Sequence, residues 1–340
     1  MSKNKTLIIA EAGVNHNGKL ILAKKLVDAS VSAGADIVKF QTFKTENLLT
    51  KKAPKADYQK KNTNKNKSQF EIIKKLELSY DDHYKLVDYC KYKKIEFLSS
   101  PMDIESIIFL KKLKLKKLKI PSGEINNYIY LSEISKFKGD IILSTGMANL
   151  NDIRNALKIL IDGGVKKNNI TILHCNTEYP TPYADVNLNA MLEIKNKLNV
   201  KIGYSDHSIG LQVPLMAKIL GASVIEKHIT LDKNLDGPDH KTSLNPKEFK
   251  NMVDQINRVD IILGNKNKKI SKSEKKNIKI ARKSIVARSS ITIGEKFSLI
   301  NLTAKRPANG ISPMKIPLLI GKKSKKNYKV DQLININEIK

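Results

Sequence analysis

The feature that most constrains this chain is an alternation repeated eight times. Short apolar, β-branched runs occur at LIIAEA (7–12), DIVKFQTF (36–43), IEFLSSP (95–101), LKIPS (118–122), DIILSTG (140–146), ITILHCN (170–176), VKIGYSD (200–206) and SVIEKHIT (223–230). Their length and composition predict strands. Between most of them the apolar period lengthens to that of a helix, as in LILAKKLVDASVSAG (20–34), YDDHYKLVDYCKYKK (80–94), NDIRNALKILIDGG (151–164) and GLQVPLMAKILGA (210–222). Asn149 or Asn151 can cap one helix start, and Gly34, Gly163 and Gly221 follow helix ends. Eight strands alternating with helices over about 260 residues is the order and size of an α/β chain closed into a (β/α)8 TIM barrel. A doubly wound open sheet is the alternative, but no G-x-G-x-x-G follows any strand.

The pattern changes near residue 264. GNKNKKISKSEKKN is polar and poor in apolar residues, so 265–281 reads as a linker after a barrel domain at 1–264. From 282 to 340 short β-branched runs with Gly and Pro punctuation predict a small second domain, mostly β or irregular.

Composition narrows the function classes. The net charge of +29 invites a nucleic-acid reading, yet only five of the 62 basic residues are arginine, the residue that reads bases in bidentate fashion. KKLKLKKLK (111–119) has no interleaved aromatics on which bases could stack. The expectation is therefore a solvated lysine-rich surface with no nucleic-acid partner, though one that attracts anionic substrates. No apolar run approaches the roughly 20 residues of a membrane span, so no membrane partner is expected. MSKNKTLIIAEAGV reads as the first strand rather than a leader, because Glu11 interrupts its apolar stretch. Cys90 and Cys175 have neither ligand spacing nor disulfide density, which fits a reducing cytoplasm.

In a TIM barrel the C-terminal ends of the strands form the active-site mouth. Here they carry Glu11; Lys39 and Gln41; Ser99 and Ser100; Lys119, Ser122 and Glu124; Ser144 and Thr145; His174, Asn176, Thr177 and Tyr179; Ser205, Asp206 and His207; and Glu226 and His228. Alternation puts Lys39 with Gln41, and Glu226 with His228, on one face. A ring of polar groups, each costly to desolvate, implies a ligand that satisfies them. Two lysines with several hydroxyls suit a phosphate plus a carboxylate. His207 and His228 end adjacent strands and can reach one cation, leaving coordination positions open for substrate oxygens. Glu11, Glu124 and Asp239 remain for proton transfer or hydroxyl binding.

In order along the chain, EAGVNHNG, VKFQTF, KIPSGE, LSTGM, LHCNTEYPTP, GYSDHSIG, VIEKHITLDKNLDGPDH and KRPANGISP resemble the sialic acid (nonulosonic acid) synthase family. The resemblance extends to a tail similar to the SAF, or type III antifreeze-like, domain. It implies a transferase that condenses phosphoenolpyruvate with the open-chain aldehyde of an N-acetylated mannosamine-type sugar. The product would be N-acetylneuraminate or N,N'-diacetyllegionaminate, with phosphate released by C–O cleavage. The resemblance gives His207 and His228 the divalent cation, Mn2+ or Mg2+, and Glu11 the proton transfers. It gives Lys39, Ser100, Lys119, Ser122, Ser144 and Ser205 phosphoenolpyruvate, with Asn176 or Thr177 as a further phosphate contact. Gln41, Glu124, Tyr179 and Asp239 would contact the sugar. Arg306 would reach into a partner subunit's mouth in a domain-swapped homodimer.

Other residues read more plainly. Glu226 is expected to support the site from behind, and Lys227 to face outward. His83 is expected at the surface, His240 near the mouth, and Cys175 as buried filler. His16 reads as a core hydrogen-bonder, and His174 is balanced between core and site. A metal-dependent pyruvate aldolase is the rival chemistry, since it shares lysines and a cation but needs no phosphate pocket. More remote are a non-enzymatic basic binding protein and an ice-binding tail, the latter at odds with GKKSKKNYK and Arg306.

Overall fold

The computed structural model describes residues 5–55 and 68–340. By its internal contacts the chain divides into two compact units, Met1–Gly264 and Asn265–Lys340.

The first unit holds eight parallel strands: β1 (Leu7–Gly13), β2 (Ile37–Thr42), β3 (Glu96–Pro101), β4 (Lys117–Ile120), β5 (Asp140–Ser144), β6 (Ile170–His174), β7 (Lys201–Asp206) and β8 (Val224–His228). The hydrogen-bonded order is β3-β2-β1-β8-β7-β6-β5-β4, and β4 packs beside β3 to complete the ring. Strand and helix limits lie within a few residues of the sequence expectation, because each strand is bounded by turn chemistry and each long helix carries its own period. The helix Leu20–Ser32 buries Ala23, Leu26, Val27 and Ser30; the helix Leu150–Asp162 buries Ile153, Ala156, Leu157 and Leu160. Asn149 caps the latter in a reciprocal capping box with Asp152.

Period-two alternation sorts every strand into two environments. Ile8, Ala10, Val38 and Phe40 face the helices and join the main apolar core. Ile9, Ile37, Leu98, Ile142, Leu173 and Val224 form a separate buried cluster inside the ring. Further along the same inward face, Ile9 is followed by Glu11, Ile37 by Lys39, Leu98 by Ser100, Ile142 by Ser144 and Val224 by Glu226. The barrel interior is thus apolar below and polar above, which places the polar groups at the C-terminal strand ends.

His83 departs from expectation. It lies on the helix Tyr80–Tyr92 and is fully buried: Nδ1 bonds the Ser79 carbonyl (2.9 Å) and Nε2 meets the Thr42 hydroxyl (2.8 Å). Thr42 and Ser99, bonded to each other at 2.7 Å, need a polar partner under that helix, and His83 supplies it.

In the second unit, the stretch 265–281 contains a ten-residue helix, Lys272–Ala281, started by a Ser271–Glu274 capping box and burying none of its residues. β9 (Ser284–Ala287) pairs antiparallel with β10 (Leu302–Lys305) over a core of Ile285, Ile291, Phe297, Leu302, Leu319, Tyr328 and Ile334. Ser284 Oγ donates to the Pro307 carbonyl (2.7 Å) and accepts from Gly310 N (2.8 Å), which pins the loop carrying the exposed Arg306.

Candidate active site

The polar end of the barrel encloses a cavity of about 240 Å³. Lys39, Ser100, Lys119, Ser122, Ser144, Thr177 and Ser205 line one part of it; Glu11, Gln41, Tyr179, His207, Glu226 and His228 line the rest. Four charged groups lie on its floor, all nearly inaccessible to solvent. Lys39 Nζ is 2.8 Å from Glu11 Oε2 and 3.6 Å from Glu226 Oε1, while Lys119 Nζ is 3.5 Å from the same Glu226 oxygen. Lys39 donates to Ser100 Oγ (3.1 Å), Lys119 to Ser144 Oγ (2.6 Å), Ser205 to Glu226 (3.0 Å) and Gln41 to Glu11 (3.2 Å).

Burial would raise Glu226, but Lys119 and Lys39 outweigh it and hold its carboxyl well below the usual range. Burial raises Glu11 to about 7; Lys39 opposes this and the Glu226 charge adds to it. Lys39 is held above its ordinary value because Glu11 and Glu226 together outweigh its burial, whereas burial pulls Lys119 down. The floor thus joins two buried lysines to one carboxyl held in its ionised form and one pushed towards its neutral form, below a mouth lined with hydroxyls, an arrangement suited to an anion.

The two histidines stand at the rim, ring centroids 5.6 Å apart. His207 Nδ1 meets the Asn176 carbonyl at 2.5 Å. A carbonyl only accepts, so Nδ1 carries the proton and Nε2 keeps its lone pair, 3.1 Å from the Tyr179 hydroxyl. His228 Nδ1 is buried without a partner. Burial lowers His207 to about 4; burial, then the neighbouring His207, holds His228 well below the ordinary value. Both rings are neutral at physiological pH, the state a divalent cation requires of its ligands. Among the described residues no third His, Cys, Asp or Glu joins them in a metal-binding group. Ring proximity, a fixed lone pair and an orphaned nitrogen fit a cation held by two imidazoles with most positions open.

Three expected site residues of the barrel do not line this cavity. Asn176 turns Oδ1 back to the Glu178 amide (2.7 Å), while its neighbour Thr177 lines the cavity. Glu124 lines an adjoining groove of about 570 Å³ with Asn47, Asn127 and Met102, and Met102 also lines the mouth. Asp239 is buried beyond β8 and raised by burial to about 6, with Lys39 opposing. Arg306 belongs to the second unit. His174 is half-buried and outside the cavity lining, its Nε2 meeting the Val186 carbonyl (2.9 Å). His240 also turns inward, to Thr230 and Asn17.

Two residues were undervalued by sequence reasoning. Glu226 is the shared counter-ion of both lysines, a role its place between Val224 and His228 on the inward face could have suggested. Gly146 approaches so closely that an added Cβ would lie 2.6 Å from Thr177 Cγ2 and 3.0 Å from Ser122 Oγ, and its amide donates to that same oxygen (3.0 Å). Lys227 corrects the expectation of an outward, solvated side chain: it is on the outer face of β8 but only 1% exposed, paired with Asp206.

Comparison with known proteins agrees with this architecture. The chain is 54% identical over 330 residues to N,N'-diacetyllegionaminic acid synthase of Campylobacter jejuni, covering 97% of this chain and 99% of the relative. It is 44% identical over 322 residues to the enzyme of that name from Legionella pneumophila, covering 94% and 90%. The crystal structure of N-acetylneuraminic acid synthetase from Leptospira borgpetersenii with citrate superposes with a TM-score of 0.69 at 33% identity, covering 81% and 90%. The SAF domain model matches residues 282–339. The NeuB family model matches residues 26–268, and with relatives this similar over nearly its whole length the chain belongs to the NeuB family.

Proposed function

We propose that this enzyme condenses phosphoenolpyruvate with 2,4-diacetamido-2,4,6-trideoxymannose, giving N,N'-diacetyllegionaminate and phosphate. One observation carries the reading: a single cavity at the barrel mouth joins Lys39, Lys119 and several hydroxyls to two imidazoles and a Glu11 shifted towards its protonated form. The choice of sugar is supported by the two relatives named as legionaminate synthases.

Lys39, Lys119, Ser100, Ser122, Ser144, Thr177 and Ser205 bind the phosphate and carboxylate; each lysine is aimed by a serine and a buried carboxylate toward the space the substrate fills. Glu226 stays ionised between the lysines and favours the charged form of each. C3 of phosphoenolpyruvate attacks the aldehyde carbon, forming the new C–C bond and an oxocarbenium-like C2. Glu11 gives its proton to the new alkoxide and, now a carboxylate, takes one from the water that adds to C2. The tetrahedral carbon then expels phosphate with its bridging oxygen, the C2 hydroxyl proton leaving with the phosphate, and becomes the ketone. His207 and His228 would hold Mn2+ or Mg2+, which would supply Lewis-acid polarisation of the aldehyde oxygen. Tyr179 and Gln41 face the sugar in the mouth, and the groove reached past Met102 takes its remaining length towards Glu124.

Arg306, exposed on a pinned loop, serves the barrel of a partner subunit in a domain-swapped homodimer, where it binds the N-acetyl group. Two free buried cysteines, Cys90 and Cys175, support a cytoplasmic setting. No helix among the described residues is long and apolar enough to cross a membrane.

The test is phosphate release from phosphoenolpyruvate with Mn2+, with the diacetamido sugar and N-acetylmannosamine offered in parallel. Release that depends on the diacetamido sugar supports the reading, and preference for N-acetylmannosamine reassigns the sugar. Pyruvate consumption without phosphate release would replace it with the aldolase.

A further inference from the structure

Lys227 lies between Glu226 and His228, so the strand pleat sends it away from the cavity. There it is enclosed. Its Nζ is 2.5 Å from Asp206 Oδ2 and 2.5 Å from the Ser208 carbonyl. The other oxygen of Asp206 accepts from Ser208 N (3.0 Å) and Ser208 Oγ (2.7 Å). Asp206 is the last residue of β7, in register with Lys227, so His207 projects from the first position beyond the ladder. Two buried side chains therefore hold the amide, hydroxyl and carbonyl of the residue that follows His207.

We infer that Lys227 is a positioning residue for His207: with Asp206 it clamps Ser208 and fixes where the imidazole enters the mouth. A buried ion pair is a poor way to gain stability, since desolvation consumes most of its attraction and apolar residues pack there at less cost. What the pair supplies and an apolar pair cannot is three directed bonds to Ser208, two on its backbone and one on its hydroxyl, just beyond the end of β7. The opposite side of His207 is held too, with its carbonyl accepting from Thr181 N (3.0 Å) and Nδ1 meeting the Asn176 carbonyl. The ring is thus gripped by the loop after β6 on one side and by the Lys227–Asp206 pair on the other.

This inference rests on the proposed role of His207 as a cation ligand, and the experiment separates the two. Lys227→Met alone strands a buried carboxylate and can unfold the barrel, so the informative variant is the neutral double substitution Asp206→Asn/Lys227→Met, with Lys227→Arg as the conservative control. Mn2+ dissociation constants are measured by electron paramagnetic resonance without substrates, and the His207 ring nitrogens are followed by 15N NMR. The double variant is expected to remain folded and bind Mn2+ about 10- to 100-fold more weakly. Its His207 signals should lose the single-tautomer pattern, and Lys227→Arg should retain more affinity. Mn2+ binding within twofold of wild type with unchanged His207 signals would overturn the inference. If wild type binds no Mn2+, or His228→Ala binds it as well, the metal reading fails and the ring signals alone decide the positioning claim.

Discussion

Replacing Glu11 with Gln is expected to abolish turnover and yet stabilise the barrel at alkaline pH. Glu11 is 2% exposed, and burial, with the Glu226 charge adding and Lys39 opposing, raises its folded value from 4.5 to about 7. Between those values the folded chain binds a proton that the unfolded chain has released. Stability is therefore lost as pH climbs through this window, and above about 7 the loss is complete. A difference of that size is worth about 3 kcal/mol, or several degrees of melting temperature for a unit of this length. Gln matches the neutral carboxyl in shape and never ionises. The assay is thermal or urea unfolding of wild type and Glu11→Gln at pH 5 and pH 8.5. The variant should be near wild type at pH 5 and about 2–3 kcal/mol more stable at pH 8.5, with phosphate release lost at both. A variant less stable than wild type at pH 8.5, or stabilised equally at both, would refute the reasoning.

Other outcomes follow from the same geometry. Gly146→Ala pushes a methyl against Thr177 and Ser122, so KM for phosphoenolpyruvate should rise about tenfold or more, against little change in KM for the sugar, in steady-state kinetics. His83→Ala leaves Thr42 without its partner and opens a cavity under the helix. It should cost about 2–4 kcal/mol in urea unfolding, with kcat within twofold of wild type. Arg306→Ala should fold normally by circular dichroism while losing most sugar-dependent phosphate release.

Much of this was legible because the barrel repeats one rule. Period two told which strand residues look inward, and the inward residues after Ile9, Ile37, Leu98, Ile142 and Val224 are those that line the mouth. The rule does not say what packs on the other face, so His83 and Lys227 were misplaced: the outer side of β2 and β3 buries one, and the β7 end buries the other. It also lapses where strands stop. Asn176 and Thr177 lie just past β6, and only the turn geometry, in which Asn176 caps Glu178, separates them. The helix Lys272–Ala281, within what read as a linker, starts at a Ser271–Glu274 capping box but has no buried face, so no apolar pattern marked it. Close approach, as at Gly146, is invisible without neighbours in space.

The most direct test of the account follows the bridging oxygen of phosphoenolpyruvate. Substrate labelled with 18O at that position is turned over with the diacetamido sugar, and the released phosphate is examined by 31P NMR. The account predicts label in the phosphate, because C2 is attacked by water and the C–O bond breaks. Unlabelled phosphate, with 18O retained in the sugar product, would mean P–O cleavage and would contradict it.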